Sequence, residues 1–333
     1  MIEYSVIVPA YNAVDVLPRC LAALERQTID RARYEIVVVD DGSTDQTVAV
    51  AEQAGAQVIR AAHGGPASAR NIGARAATGG VLLFTDADCE PAPDWIERMA
   101  RAFDEPQVAG AKGTYRTRQT ALTARFVQQE YEDKYDRLAR QPTIDFIDTY
   151  SAAYRREVFL PSGGFDATFT TSSVEDQELS FRLVAQGHRL VFVPDAIVGH
   201  RHDATPLEYL RRKVGIGYWK ALLLRRHPDK AVRDSHTPQA IKAQIGLLAL
   251  SMVVTVLAVF VPTSVGLPVG SWLLLFLTML PLLIKIARRD PAVVWIAPML
   301  IALRAAGLGT GLAIGLVRFT LRPTLTRALD ANL

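Results

Sequence analysis

Two aspartates, Asp86 and Asp88, stand two residues apart at the end of a short apolar run, Val81-Leu-Leu-Phe-Thr85. Side chains alternate along an extended chain, so both carboxylates face the same side. Two such oxygens suit Mg²⁺ or Mn²⁺ and leave part of the ion's shell open to substrate phosphates. An ion held there would offset charge building on a diphosphate leaving group. The same pair in a solvated turn would do none of this, so the reading depends on what accompanies it. Asp40 and Asp41 end a second apolar run, Glu35-Ile-Val-Val-Val39. One of them would accept an N–H from a nucleotide base; the plainer alternative is a loop pair leading into a capped helix. Arg70, on a helical segment before the Asp86 run, would reach base or phosphate. Glu175 and Asp176 open a later helix, where either would take the proton of an acceptor hydroxyl, although Ser173 and Asp176 also have the spacing of a helix cap. His200 and His202 follow another apolar run and would complete a metal site, or serve as structural histidines.

The elements that must carry these residues alternate. Ser5-Val-Ile-Val-Pro9, Glu35 to Val39, Val58-Ile59 and Val81 to Thr85 have the composition of buried parallel strands. Helical patterns lie between them, with Leu17, Leu21 and Leu24 on one face of the first. Ser43 and Gln46 have capping-box spacing for a helix over 44–54, which Gly55 would end. An Ala-rich helix follows over 66–78, and a later one, carrying Glu175 and Asp176, runs from Ser173 to Gly187. This order predicts an α/β domain with a mostly parallel central sheet. Ligands in such folds gather beyond the carboxyl ends of the strands, which is where the acidic loops lie.

The 333-residue chain changes character near residue 240, from scattered charge to long apolar runs. Residues 206–230 mix Tyr209, Tyr218 and Trp219 with Arg and Lys, as an interfacial helix would; a solvated helix docked on the domain is the plainer alternative. The runs at 244–261 and 266–286 match the roughly 17–25 residues that cross a bilayer. Lys285, Arg288 and Arg289 at the near end then place that end in the cytoplasm. A third run, 292–317, carries Arg304 near its middle, where a charge costs about 2.5–3.5 kcal/mol on insertion scales. Its Gly307, Gly309, Gly311 and Gly315 would allow close packing. Were it to span, Arg318, Arg322 and Arg327 would lie outside, against the charge rule, so a spanning helix and an interfacial or re-entrant one both stand. The net charge of +3 arises beside the apolar region and suits an anionic membrane surface, not nucleic acid. Cys20 and Cys89 form no CxxC pair, so no disulfide framework is expected. The N-terminus reads as a strand and not as a leader, which would keep the first domain in the cytoplasm. The expected division is a catalytic domain over 1–205, basic interface helices over 206–240 and a membrane region over 241–333.

In order, these pieces resemble the family-2 glycosyltransferases of the GT-A fold: Val6-Ile-Val-Pro-Ala-Tyr-Asn12, Val39-Asp-Asp-Gly-Ser-Thr-Asp45, Ala69-Arg-Asn-Ile-Gly73, Asp86-Ala-Asp88, Gly163-Gly-Phe-Asp166, Glu175-Asp-Gln-Glu-Leu179 and the strand to His200. The resemblance covers residues 3–203. It implies an inverting, Mg²⁺- or Mn²⁺-dependent transfer from a nucleotide-diphosphate sugar, a UDP-sugar before others. Pro9, Ala10, Tyr11, Asp40 and Arg70 would line the base pocket, with Asp41 beside them. Asp86 would face ribose and phosphates, Asp88 and His200 the metal, and Asp176 would act as base with Glu175 shaping the acceptor site. No QxxRW-like motif follows His202, which argues against a processive synthase. A membrane-associated glycan or glycolipid is the expected acceptor. A polyprenyl-phosphate acceptor is the alternative, and an inactive sugar-nucleotide-binding scaffold the reading from another class.

Overall fold

The structure, a computed structural model, describes residues 1–171, 173–232, 237–261 and 266–321; Arg322 and Arg327 lie outside them. The chain forms two compact units, residues 1–118 with 135–201, and residues 119–134 with 202–333.

The first unit is built on β1 (Tyr4–Ala10), β2 (Tyr34–Asp40) and β4 (Val81–Phe84), whose apolar runs are buried on both faces, with the partly exposed β3 (Gln57–Arg60) at the edge of the sheet. They pair in parallel, with Ala10 level with Asp40 and Ile7 level with Phe84. Beyond them come β5 (Glu90–Pro91), β6 (Val108–Arg116), β7 (Ala152–Arg155) and β8 (Arg189–Gly199). The full sheet has the order β3-β2-β1-β4-β7-β6-β8-β5. β7 runs antiparallel to both its neighbours, while β6 and β8 are parallel. The sheet is therefore mixed, with its parallel half at the N-terminal end of the chain.

The connecting helices are α1 (Leu17–Glu25), α2 (Thr47–Gln53), α3 (Pro66–Ala76) and α4 (Trp95–Arg101). After these, α5 (Leu122–Leu138) belongs up to residue 134 to the second unit, and α6 (Arg156–Phe159) and α7 (Glu175–Ala185) return to the first. Leu17, Cys20, Leu21 and Leu24 form the buried stripe of α1. One start signal differs from the sequence reading. The Ser43–Gln46 capping box does not form; Asp45 accepts instead from the Thr47 N–H at 3.0 Å, and Ser43 Oγ accepts from the Asn12 N–H. A cross-chain loop contact takes the hydroxyl that a local rule assigns to the helix. Likewise Ser173 does not cap α7: its N–H donates to Glu175 Oε2 at 2.8 Å.

In the second unit, α8 (Pro206–Arg226) begins in a complete Thr205–Glu208 capping box. α9 (Gln239–Phe260), α10 (Gly266–Arg289) and α11 (Ala297–Leu321) follow. All three are long and apolar enough to cross a membrane. Phe126 and Val127 of α5 pack with Leu248, Leu275, Met279, Ile286, Leu300 and Ile301 in one apolar cluster.

Candidate active site

Every acidic residue singled out by its spacing lies in the first unit, at a carboxyl end of the sheet or at the start of α7. Arg70 joins them. Its guanidinium is 1 % exposed and donates to Asp86 Oδ1 at 2.7 Å and to Glu175 Oε1 at 3.0 Å. Burial works against its charge, but attraction from Asp86, Glu175 and Asp176 overrides this and raises its pKa. The Phe165 ring lies 5.7 Å from the guanidinium carbon. Arg70 thus ties the strand end that carries the Asp-x-Asp pair to the first turn of α7. Next to it, Asn71 pins the Gly163-Gly-Phe-Asp166 loop, exchanging two hydrogen bonds with the Phe165 backbone at 2.7 and 2.9 Å. Gly164 is required there: its φ is +71°, and a Cβ would come within 2.4 Å of Asn71 Oδ1.

Asp88 points away from this pair. Its side chain is 42 % exposed, and its Oδ2 lies 3.7 Å from His200 Nε2. Burial by the surrounding chain raises its pKa; His200 opposes the rise and Asp86 adds to it. His200 sits at the end of β8, framed by the rings of Tyr115 and Tyr150 at 5.5 and 5.4 Å, whose hydroxyls bond to each other. The Thr85 hydroxyl donates to the Tyr150 carbonyl at 3.0 Å, fixing that frame to the Asp-x-Asp strand.

Ligand atoms of Asp88, Cys89 and His200 all lie within 4.8 Å of one another. The carboxylate suits Mg²⁺ or Mn²⁺, whereas an imidazole suits a transition metal better than Mg²⁺. The Cys89 thiol is buried, and burial followed by the charges of Asp86 and Asp88 raises its pKa well above the usual value. It stays protonated, and a thiol is a poor ligand for a hard ion. Cys20 and Cys89 are both buried and unbridged.

On the other side of β1, Asp40 accepts from the Ser43 N–H at 3.2 and 3.3 Å. Asp41 is more fully engaged. Its oxygens accept from the N–H groups of Gly64 and Gly65 at 2.8 and 2.9 Å, and His63 Nδ1 lies 3.0 Å away. Asp41 therefore holds the turn that leads into α3. Pro9 and Ala10 end β1, and Tyr11 just beyond is 49 % exposed with its ring 4.4 Å from that of His63. Asp176 is buried at the start of α7, where its Oδ1 accepts from the Gln177 N–H at 2.7 Å. Beneath the site the buried Lys112 pairs with Asp148; burial pushes its pKa down to about 7 against the pull of Asp176. His202 belongs to the second unit, where its Nε2 lies 3.0 Å from Gln128 Oε1 and its ring stacks on Tyr131.

Sequence reasoning did not single out Cys89, His63, Lys112, Tyr115 or Tyr150. Cys89 adjoins the Asp-x-Asp pair and was within reach of a ligand search; the others are joined to the site only by the fold.

Residues 5–160 match the family model described as glycosyl transferase family 2. These residues form a family-2 glycosyltransferase domain. The chain is 28 % identical over 243 residues to a pre-mycofactocin glycosyltransferase of Mycobacterium tuberculosis, a match covering 68 % of this chain and 49 % of that protein. It therefore spans about half the length of that relative. Glycosyltransferase AglE of Haloferax volcanii is 29 % identical over 238 residues, with coverages of 67 % and 75 %. A mannosyltransferase from Pyrobaculum calidifontis, solved in complex with GDP-Man and Mn²⁺, superposes with a TM-score of 0.60 at 21 % identity, covering 92 % of this chain and 86 % of that one. The family-2 domain thus has the GT-A type of mixed α/β fold, followed by helices that are candidate membrane spans.

Proposed function

We propose that the chain is an inverting, metal-dependent glycosyltransferase moving a sugar from a nucleotide-diphosphate donor, a UDP-sugar before others, to a membrane-associated glycan or glycolipid. One observation carries the reading: Arg70 draws Asp86 and Glu175 together, which leaves Asp88 and His200 as an adjoining pair and Asp176 one residue beyond. Asp88 and His200 would hold the ion. Bound there, it would offset the negative charge of the departing nucleoside diphosphate. Asp86, with Oδ1 committed to Arg70, presents its other oxygen to the donor. Tyr11 offers an exposed ring to the base, and Asp40 an acceptor for a base N–H. Asp176 takes the proton of the incoming hydroxyl, with Glu175 held beside it. The apolar helices α9 and α10 support a membrane-resident acceptor and a catalytic domain on the cytoplasmic side.

The test uses the full chain in detergent, with UDP, GDP and their sugars, with and without Mn²⁺. Thermal stabilisation by one nucleotide with Mn²⁺, lost in Asp88→Asn, is expected. Unchanged stabilisation in that variant removes Asp88 from the metal site. No donor hydrolysis or transfer with any donor would favour the binding-scaffold reading. Mild-acid lability of an extracted lipid product separates a sugar–phosphate link from a glycosidic one.

A further inference from the structure

The third apolar helix has a neighbour that no membrane-crossing helix should have. α11 lies along α8, and the two run in the same direction. A Cβ on Gly307 would meet Leu210 and Lys213, one on Gly311 would meet Val214 and Tyr218, and one on Gly315 would meet Tyr218 and Ala221. At the far end the Phe319 carbonyl accepts from Arg225 Nη1 at 2.7 Å. From Gly217 the approach is just as close, since a Cβ there would come within 2.4 Å of the Leu308 carbonyl oxygen. Each four-residue step along α11 is matched by a similar step along α8. The contact therefore extends over residues 307–319, roughly 18 Å at the helical rise.

If α11 crossed the bilayer, α8 would be carried to the same depth. The matching stretch of α8 holds Arg211, Arg212, Lys213, Lys220, Arg225 and Arg226. Six cations on one helix are not tolerated in hydrocarbon; on a helix lying among headgroups they are the expected composition. Arg304 leads to the same conclusion. It is buried, donates to Glu130 Oε1 at 2.5 Å and to Gln244 Oε1 at 2.8 Å, and Glu130 also takes Lys213 at 3.3 Å and the Tyr209 hydroxyl at 2.9 Å. Gln244 stands in the second turn of α9, and Gly309 approaches Ile245 in the same turn. These contacts of α11 with the hairpin lie at its basic end, where Lys285 pairs with Asp133 at 2.6 Å. In the far half of the hairpin Val256, Val259, Phe260, Leu267 and Val269 are exposed, as lipid-facing residues would be.

We infer that α8 and α11 form one platform lying in the headgroup layer, and that the chain crosses the membrane twice, through α9 and α10 alone. The partner of this surface is the lipid bilayer. The exposed Ile314, Leu316 and Val317 of α11 enter its acyl boundary, while the exposed Arg211, Arg225 and Arg318 meet anionic headgroups. Two crossings put both chain termini on one side.

The experiment places one protease-cleavable tag before Met1 and a second after Leu333 of the full chain, in sealed vesicles of known orientation. A Gly266→Cys variant is probed with a membrane-impermeant maleimide, using the native chain as the blank because Cys20 and Cys89 are buried. Expected are complete loss of both tags from the same side and labelling of the new cysteine only from the other. Tags cut from opposite sides would mean three crossings and overturn the proposal. So would labelling of the cysteine from the tag side, which would mean that the hairpin does not cross at all.

Discussion

Two buried arginines, Arg70 and Arg304, organise the two halves of the molecule with opposite charge balances. Arg70 is one cation between two carboxylates, Asp86 and Glu175, with Asp88 and Asp176 close by and His200 and the buried Lys112 beside them. Glu130 is one carboxylate between two cations, Arg304 and Lys213. Under the proposed function, the anionic excess at the end of the sheet is what a bound cation would offset. A cationic excess beside apolar helices is eased by an anionic lipid surface. What differs between the two networks is the sign of the counter-charge that the proposed ion and the proposed lipid surface would supply.

The sharpest way to test this contrast is to remove the centre of each network. Arg70→Met leaves Glu175 buried and unpaired, at a cost of roughly 3–5 kcal/mol, and frees Asp86, so both stability and nucleotide binding should fall. Glu130→Gln strands Arg304 and Lys213 with a similar order of loss, seen as lower thermal stability in detergent, while nucleotide-dependent stabilisation persists in the folded fraction. If Glu130→Gln abolished nucleotide binding and Arg70→Met spared it, the assignment of roles would be reversed. Next in size is Asp176→Asn. An amide cannot accept the hydroxyl proton, so turnover should drop by at least about 10²-fold with donor binding retained. A loss of only a few-fold in a transfer assay would mean that another group is the base.

Much of the receptor side was legible in the sequence because it is written locally. Strand ends and a helix opening with Glu175 and Asp176 each place carboxylates by a short-range rule. The alternation expected for Asp86 and Asp88 does not hold, because the chain enters a turn there and sends Asp86 to Arg70 and Asp88 towards His200. What joins them is not local. Nothing near Arg70 in sequence indicates that it bonds a residue 105 positions later, and nothing near His200 announces Tyr115 and Tyr150. Asp41 had the right address for a base contact, yet the fold uses both its oxygens on the turn at Gly64 and Gly65. Ser43 likewise had the spacing of a helix cap, yet its hydroxyl is taken by the Asn12 N–H. The lipid-facing side was legible only in part. The glycines of α11 signalled a close neighbour without naming α8, and residues 119–134, rich in charge, gave no hint that Phe126 and Val127 pack among the apolar helices.

The smallest effect tests whether charge balance, and not burial alone, distinguishes the two networks. Glu35 is held by neutral donors: its Oε1 accepts from Ser5 Oγ at 2.6 Å, from the Thr78 N–H at 2.7 Å and from the Thr78 hydroxyl at 2.8 Å. Burial alone would raise its pKa, but the Ser5 and Thr78 donors outweigh that and lower it. A carboxyl lowered on folding binds fewer protons native than unfolded. Its stabilisation is therefore complete above the ordinary carboxyl range and disappears as pH falls through the lowered native value. Glu35→Gln should cost about 1 kcal/mol near neutral pH, after allowing for partial exposure. That difference from the unsubstituted chain should shrink in acid denaturation series below the ordinary glutamate range, with nucleotide binding unchanged throughout. A difference that grew as the solution became more acidic would mean the carboxyl is held neutral in the fold, and hydrogen-bond donors alone would then be insufficient to keep an acid charged at this sheet edge.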